Sequence, residues 1–233
     1  MASSSSFEKS LQEIRTLIAA AGGKRGNDLG AYRAIISLFR DPDRILKDAD
    51  RLEALLALAP EIEAYRGKGS QILQREFSRA LGALLFYGEG ATGTSSGWAE
   101  KLSDHFFARV QGPPGRSRHG GGIRAEAWSA LGELDFYHRR PELLSLALET
   151  AADKRRPDAE RLGAVEFLTV HWAEEDPDKA TVDLLDTLVE NPPNRSFLVT
   201  VLQARIDLGL SDEMEALFEV EDWDDEEDEG EEE

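Results

Sequence analysis

The chain contains no cysteine. That absence excludes a disulfide framework, a thiolate zinc site and a cysteine nucleophile. β-Branched aliphatic residues are scarce, with 9 Ile and 8 Val against 30 Leu and 28 Ala. Strands favour β-branched and aromatic residues, whereas Leu and Ala lose little entropy in helices, so the ratio argues against a sheet and predicts an all-α protein. No apolar run approaches the roughly 18 residues of a membrane span, and Met1 to Ser6 lacks the apolar stretch of a signal peptide. A soluble, cytoplasmic protein without membrane contact is expected. Basic residues are few: 27 Lys and Arg face 46 Asp and Glu, a net charge of -19 over 233 residues. That balance disfavours a general nucleic-acid binder, which must neutralise phosphates.

The negative charge is unevenly placed. From Glu219 to Glu233 there are 12 acids and no base, leaving 34 acids against 27 bases, or -7, for everything before. A mildly acidic body therefore precedes a tail that repels itself and is expected to be disordered in isolation.

Start signals for helices recur with one chemistry. Asp41-Pro42 and Asp176-Pro177 put a capping carboxylate before a proline at the first helical position. Pro141 and Pro157 open helices similarly, Asn194 caps the last long one, and Ser5 with Glu8 has capping-box spacing. With the apolar periodicity these predict helices over 6–21, 29–40, 43–58, 70–87, 97–111, 123–136, 141–153, 157–173, 177–190, 194–208 and 211–219. Between them, 88–97 is rich in Gly, Ser and Thr and is expected to be mobile. The organisation that follows is an N-terminal helical half (1–111) of degenerate helix pairs, a flexible basic Gly/Pro loop (112–122), helical repeats (123–219) and an acidic tail (220–233).

The second half repeats itself. Arg124, Ala127 and Leu131 match Arg161, Ala164 and Leu168 at an offset of 37 residues, and Arg195, Leu198 and Leu202 continue the spacing. A unit of two antiparallel helices cannot bury both apolar faces alone, so units stack. On these residues the chain resembles the HEAT-like branch of α-helical repeat proteins, over 123–219 by sequence pattern and over 29–111 by helix pairing alone. A tetratricopeptide-like reading competes: Trp128, Leu131, Gly132 and Ala151 fall at that family's spacing, and Leu208-Gly209 before Asp212 to Leu217 has a similar look. The resemblance implies a right-handed α-solenoid of about five antiparallel helix pairs with a concave face. Some HEAT-like proteins are lyases or DNA glycosylases, but resemblance at fold level carries no catalytic residue across.

No motif in the chain forms a catalytic constellation by itself. GxSxG, a P-loop lysine motif and GxGxxG after a strand are all absent. His171 and Glu174 stand one helical turn apart, yet the second histidine of an HExxH pair is missing, so no metal and no cofactor is expected. Asp104-His105 and Glu133-Leu134-Asp135 are neighbours in sequence that point around a helix rather than at each other. Charge gives better candidates. Arg116, Arg118, His119 and Arg124 gather positive charge in and beside the glycine-rich loop. Arg139 and Arg140, with Lys154, Arg155 and Arg156, occupy the following turns and would form a basic ridge if successive turns shared an edge. In the tail, Trp223 with Asp224 and Asp225 would anchor a basic partner. Among Phe106, Phe107, Trp128, Phe136, Tyr137, Phe167 and Trp172, most are core and one or two are exposed anchors.

The expectation is a non-enzymatic protein-interaction module (an adaptor, assembly factor or inhibitor) that binds a protein with a basic region through the repeat face, the tail or both. The alternatives are an enzyme on a HEAT-like fold, with His171 the first residue to test, and a nucleic-acid binder using the basic loop.

Overall fold

The computed structural model describes residues 2–20, 28–65, 70–111 and 118–211. Among them every regular element is helical, so the protein is all-α. No helix among the described residues is long and apolar enough to cross a membrane. The chain divides into two compact units, Met1–Val110 and Gln111–Glu233.

The first unit holds α1 (Ala2–Ala20), α2 (Asp28–Leu38), α3 (Pro42–Lys47), α4 (Ala49–Ala64), α5 (Ser70–Ala83), a 3₁₀ turn (Leu84–Tyr87), α6 (Gly88–Ala91) and α7 (Trp98–Val110). α1 packs on α2 and α4, and α5 packs on α2 and α4. Ile14, Leu38, Leu55 and Phe77 of these helices are buried, as is Phe106 of α7, which packs on α4. Burial of this apolar area, at about 25 cal/mol per Å², is the main term holding the helices together.

Several boundaries differ from the sequence expectation, each for a local reason. α1 begins at Ala2, so Ser5 lies inside the helix and not at its cap. The helix expected over 43–58 is two. Asp48 breaks the chain direction, and its carboxylate accepts from the Arg51 amide at 3.3 Å as the N-cap of α4. α4 then runs past Pro60 to Ala64, because Leu58, Ala59 and Ile62 stay buried on its core face and outweigh the one hydrogen bond that proline removes. The 88–97 segment, expected to be mobile, is folded against Trp98. Its indole Nε1 donates to the Ala91 carbonyl at 3.2 Å, and a Cβ at Gly88 would lie 2.6 Å from the ring. Gly93 and Gly97 supply the positive φ (79° and 61°) that this tight path needs.

The second unit holds α8 (Arg118–Asp135), α9 (Pro141–Ala152), α10 (Asp158–His171), α11 (Lys179–Glu190) and α12 (Arg195–Asp207). α8 starts at Arg118, five residues before its expected start, so 118–122 of the presumed loop is helical. Glycine weakens a helix by about 1 kcal/mol without forbidding it, which is why composition misplaced this boundary. Asn194 caps α12 as read, accepting from the Phe197 amide at 2.9 Å. At α11 the cap is Asp178 and not Asp176; its carboxylate takes the Thr181 amide at 2.8 Å. The last expected helix, 211–219, lies outside the described residues beyond Ser211.

α10 packs on α8, α9 and α12, and α11 packs on α9 and α12. Trp128, Phe167 and Phe197, one from each of α8, α10 and α12, are fully buried, with the first two ring centroids 5.5 Å apart. Small residues let α8 and α10 approach closely: Gly163 faces the Ala125 backbone, and Gly132 faces Val170.

Candidate functional site

Four side-chain hydrogen bonds among the described residues of the second unit join positions 36 or 37 apart. Arg124 Nη1 donates to Glu160 Oε1 at 3.1 Å (36 residues apart), and Ser129 to Glu166 at 3.4 Å (37 apart). Asp135 meets His171 at 2.7 Å (36 apart), and Asn194 donates to Asp158 at 2.9 Å (36 apart). Each joins a donor on one helix to an acceptor on the helix two elements away, between α8 and α10 or between α10 and the cap of α12. Identity at the 37-residue offset does not mark these contacts, because the two partners differ in type; donor–acceptor complementarity at 36–37 residues does.

The rung at the C-terminal ends of α8 and α10 opens on a cleft. Hydrogen bonds from the Tyr137 and His138 amides to the Leu134 carbonyl close α8, and Pro141 starts α9, so Phe136 to Arg140 form a short turn beside Asp135. α10 ends on His171. Its ring stacks on Phe167 at 5.7 Å and meets the edge of Trp172 at 4.9 Å, while the Trp172 indole is tied to Thr181 at 3.1 Å. The imidazole is therefore fixed in position. An ionised Asp135 Oδ2 only accepts, so it takes the Nδ1 proton, and in the neutral ring Nε2 turns its lone pair to Arg139 Nη2 at 3.3 Å. Arg139 also reaches Asp135 Oδ2 at 3.5 Å and Glu175 at 3.7 Å. Asp135, Phe136, Arg139, Val170, His171, Glu174 and Glu175 line a cleft of about 190 Å³. The side chains of Asp135 and His171 are each only 8% exposed, whereas Phe136 is 60% exposed as a residue.

The chemistry of this cleft is specific. The one lone pair that would make His171 a general base is already occupied by a guanidinium. No group of three metal-ligating side chains occurs among the described residues. Three carboxylates face one guanidinium in the cleft, beside an exposed aromatic ring.

The residues nominated from sequence fall in several places. Arg118 and His119 lie in the first turn of α8. Arg116, Trp223, Asp224 and Asp225 lie outside the described residues. Arg124 and Arg156 both pair with the fully buried Glu160. Arg140 pairs with Glu142 at 3.5 Å. Arg155 holds Asp153 with two side-chain hydrogen bonds, at 2.8 and 3.1 Å, which draw that carboxyl down to about 2. Arg139 stands in the cleft, in the turn beyond the C-terminal end of α8, and that end lies about 16 Å along the helix from Arg124. Arg139 and Arg140 thus follow α8, whereas Arg155 and Arg156 precede α10, and each has an acidic partner. Of the aromatics, Trp128, Phe106 and Phe167 are core, while Phe136 and Tyr137 are exposed.

The first unit buries a polar cluster of its own on α7. Arg109 donates to Ser78 at 3.0 Å and pairs with Glu63. One turn before it His105 is largely buried, and burial, aided by the Arg109 charge, pushes its pKa down to about 3. Unfolded histidine protonates near 6.5, so between those values the unfolded chain binds the extra proton and stability falls as pH drops through 6.5. Between pH 7 and pH 5 the first unit is expected to lose about 2 kcal/mol from this residue. Urea unfolding at the two pH values, compared with a His105→Leu variant, measures it; an equal loss in the variant would remove His105 as the cause.

No protein-family model matches the chain, and neither curated proteins nor solved structures give a match to it.

Proposed function

We propose that the protein is a HEAT-like, right-handed α-solenoid that serves, without enzymatic activity, as a protein-interaction module in the cytoplasm. The solenoid reading draws support from the packing of α8, α10 and α12 in sequence and of α9 against α11, joined by polar rungs near the repeat length. The interaction reading is carried by one observation above all, the exposed Phe136 beside a cleft rich in carboxylates. An aromatic anchor next to fixed charge is the arrangement that concentrates binding energy in protein interfaces. The partner has a basic region, and the acidic segment from Glu219 onward raises its rate of encounter.

Photo-crosslinking from position 136 in the full chain, with mass spectrometry of the adduct, tests this reading. The expected result is a stoichiometric protein partner joined through a basic segment and lost on Phe136→Asp. A chain shortened after Phe218 separates the contribution of the tail. One observation favours a second reading, an enzyme on the same fold: the Asp135–His171 pair opens on a cleft. A turnover abolished by His171→Ala and indifferent to Phe136→Asp would establish that reading in place of the first.

A further inference from the structure

We propose that the cleft at the ends of α8 and α10 is a receptor for one basic side chain, the guanidinium or ammonium group of an Arg or Lys on the partner polypeptide. The inference rests on the interaction-module reading and names what that partner inserts.

The first ground is charge. Asp135, Glu174 and Glu175 outnumber Arg139, and Arg139 already shares its guanidinium with Asp135, Glu175 and His171 Nε2. An anion would meet three carboxylates and an imidazole that offers an acceptor, so the cleft selects against it. The second ground is an unmet hydrogen bond. Asp135 is 8% exposed and lines the cleft; Oδ2 has two partners, whereas Oδ1 is buried with none. A buried carboxylate oxygen without a donor is an uncommon state, and an N–H from a charged group is its strongest complement. The third ground is the wall. Phe136, 60% exposed, presents an aromatic ring whose negative face attracts a cation. Phe136 and the half-exposed Arg139 line the same cleft and are the side chains that a basic group would displace on its way to Oδ1. The volume of about 190 Å³ suits one side-chain head and not a strand or helix.

The test follows the Phe136 and His171 ring signals of the full chain by NMR while a capped Gly-Ser-Arg-Ser-Gly peptide is added. Parallel titrations use the same peptide with citrulline or glutamate in place of arginine, and spermidine. The arginine peptide is expected to shift both rings saturably, and citrulline, equal in shape but uncharged, to bind about fivefold or more weaker. Phe136→Ala and Glu175→Gln, both on exposed side chains, are each expected to weaken the arginine peptide about threefold with the fold intact. Equal binding of citrulline, preferential binding of the glutamate peptide, or shifts confined to residues 219–233 would each overturn the proposal. So would spermidine outcompeting the arginine peptide at the same rings, which would assign the cleft to a free polyamine. A partner captured from position 136 while the rings ignore every peptide sinks this inference alone. Ring shifts with no partner captured keep the cation receptor and sink the interaction-module reading.

Discussion

Glu160→Gln is expected to cost the second unit about 3 kcal/mol, with the side-chain shape unchanged. Glu160 is 0% exposed, and its Oε1 accepts from both Arg124 and Arg156, whose side chains are themselves only 15% and 13% exposed. Removing one charge from a buried cluster leaves its partners desolvated without compensation, which is the reason such losses run to about 3–5 kcal/mol. The two guanidiniums keep a little solvent contact, which places this one at the lower end of that range. Urea unfolding of the full chain, read at the Trp128 indole signal, measures the change. A loss below about 1 kcal/mol would show that the arginines find water as readily as they found Glu160.

Gly163→Ala reverses the usual sign of its class. In a helix interior this exchange ordinarily gains up to about 1 kcal/mol, because alanine has the higher helix propensity. At Gly163 the added Cβ would lie 2.7 Å from the Ala125 Cα and 3.0 Å from the Ala125 carbonyl oxygen. Those are backbone atoms, so relief requires α8 to move off α10 as a whole. The expected net effect is a loss of about 1–3 kcal/mol. Gly82→Ala is the control: it sits in α5 with nothing within 4 Å of the added atom. That variant is expected to be neutral or stabilised by up to about 1 kcal/mol. Parallel thermal unfolding of the two separates close packing from propensity, and a stabilised Gly163→Ala would contradict the observed helix contact.

The legible parts of the fold were those written in local chemistry. Leu and Ala content sufficed for the all-α class, and Asn194, Asp41 and Pro141 marked helix starts that the structure retains. Boundaries went astray where tertiary packing overrode a local signal, as at Pro60 inside α4, and where a modest propensity cost read as a break, as at the glycines that open α8. Composition alone could not tell a mobile Gly/Ser/Thr stretch from one folded onto Trp98. The cleft was legible in pieces. Asp135, Phe136, Arg139 and His171 are legible one by one as acid, aromatic, base and imidazole, but no spacing in the sequence joins residues 135–139 to a position on another helix. What brings them together is the approach of α8 to α10, and the key to it is glycine: Gly132 and Gly163 admit the contact that sets Asp135 against His171. Glu160 drew no notice, since a glutamate in the first turn of a helix reads as an ordinary solvated charge.

The rungs at 36–37 residues also bear on how this part of the chain assembles. Every such bond reaches about one unit along the chain, so no distant segment must be found before it can form. Each contact can then form as the two helices that carry it meet, with little loop entropy spent. The same locality limits the spread of damage. A broken rung loosens its own junction first, and residues two junctions away feel it only through the helices in between.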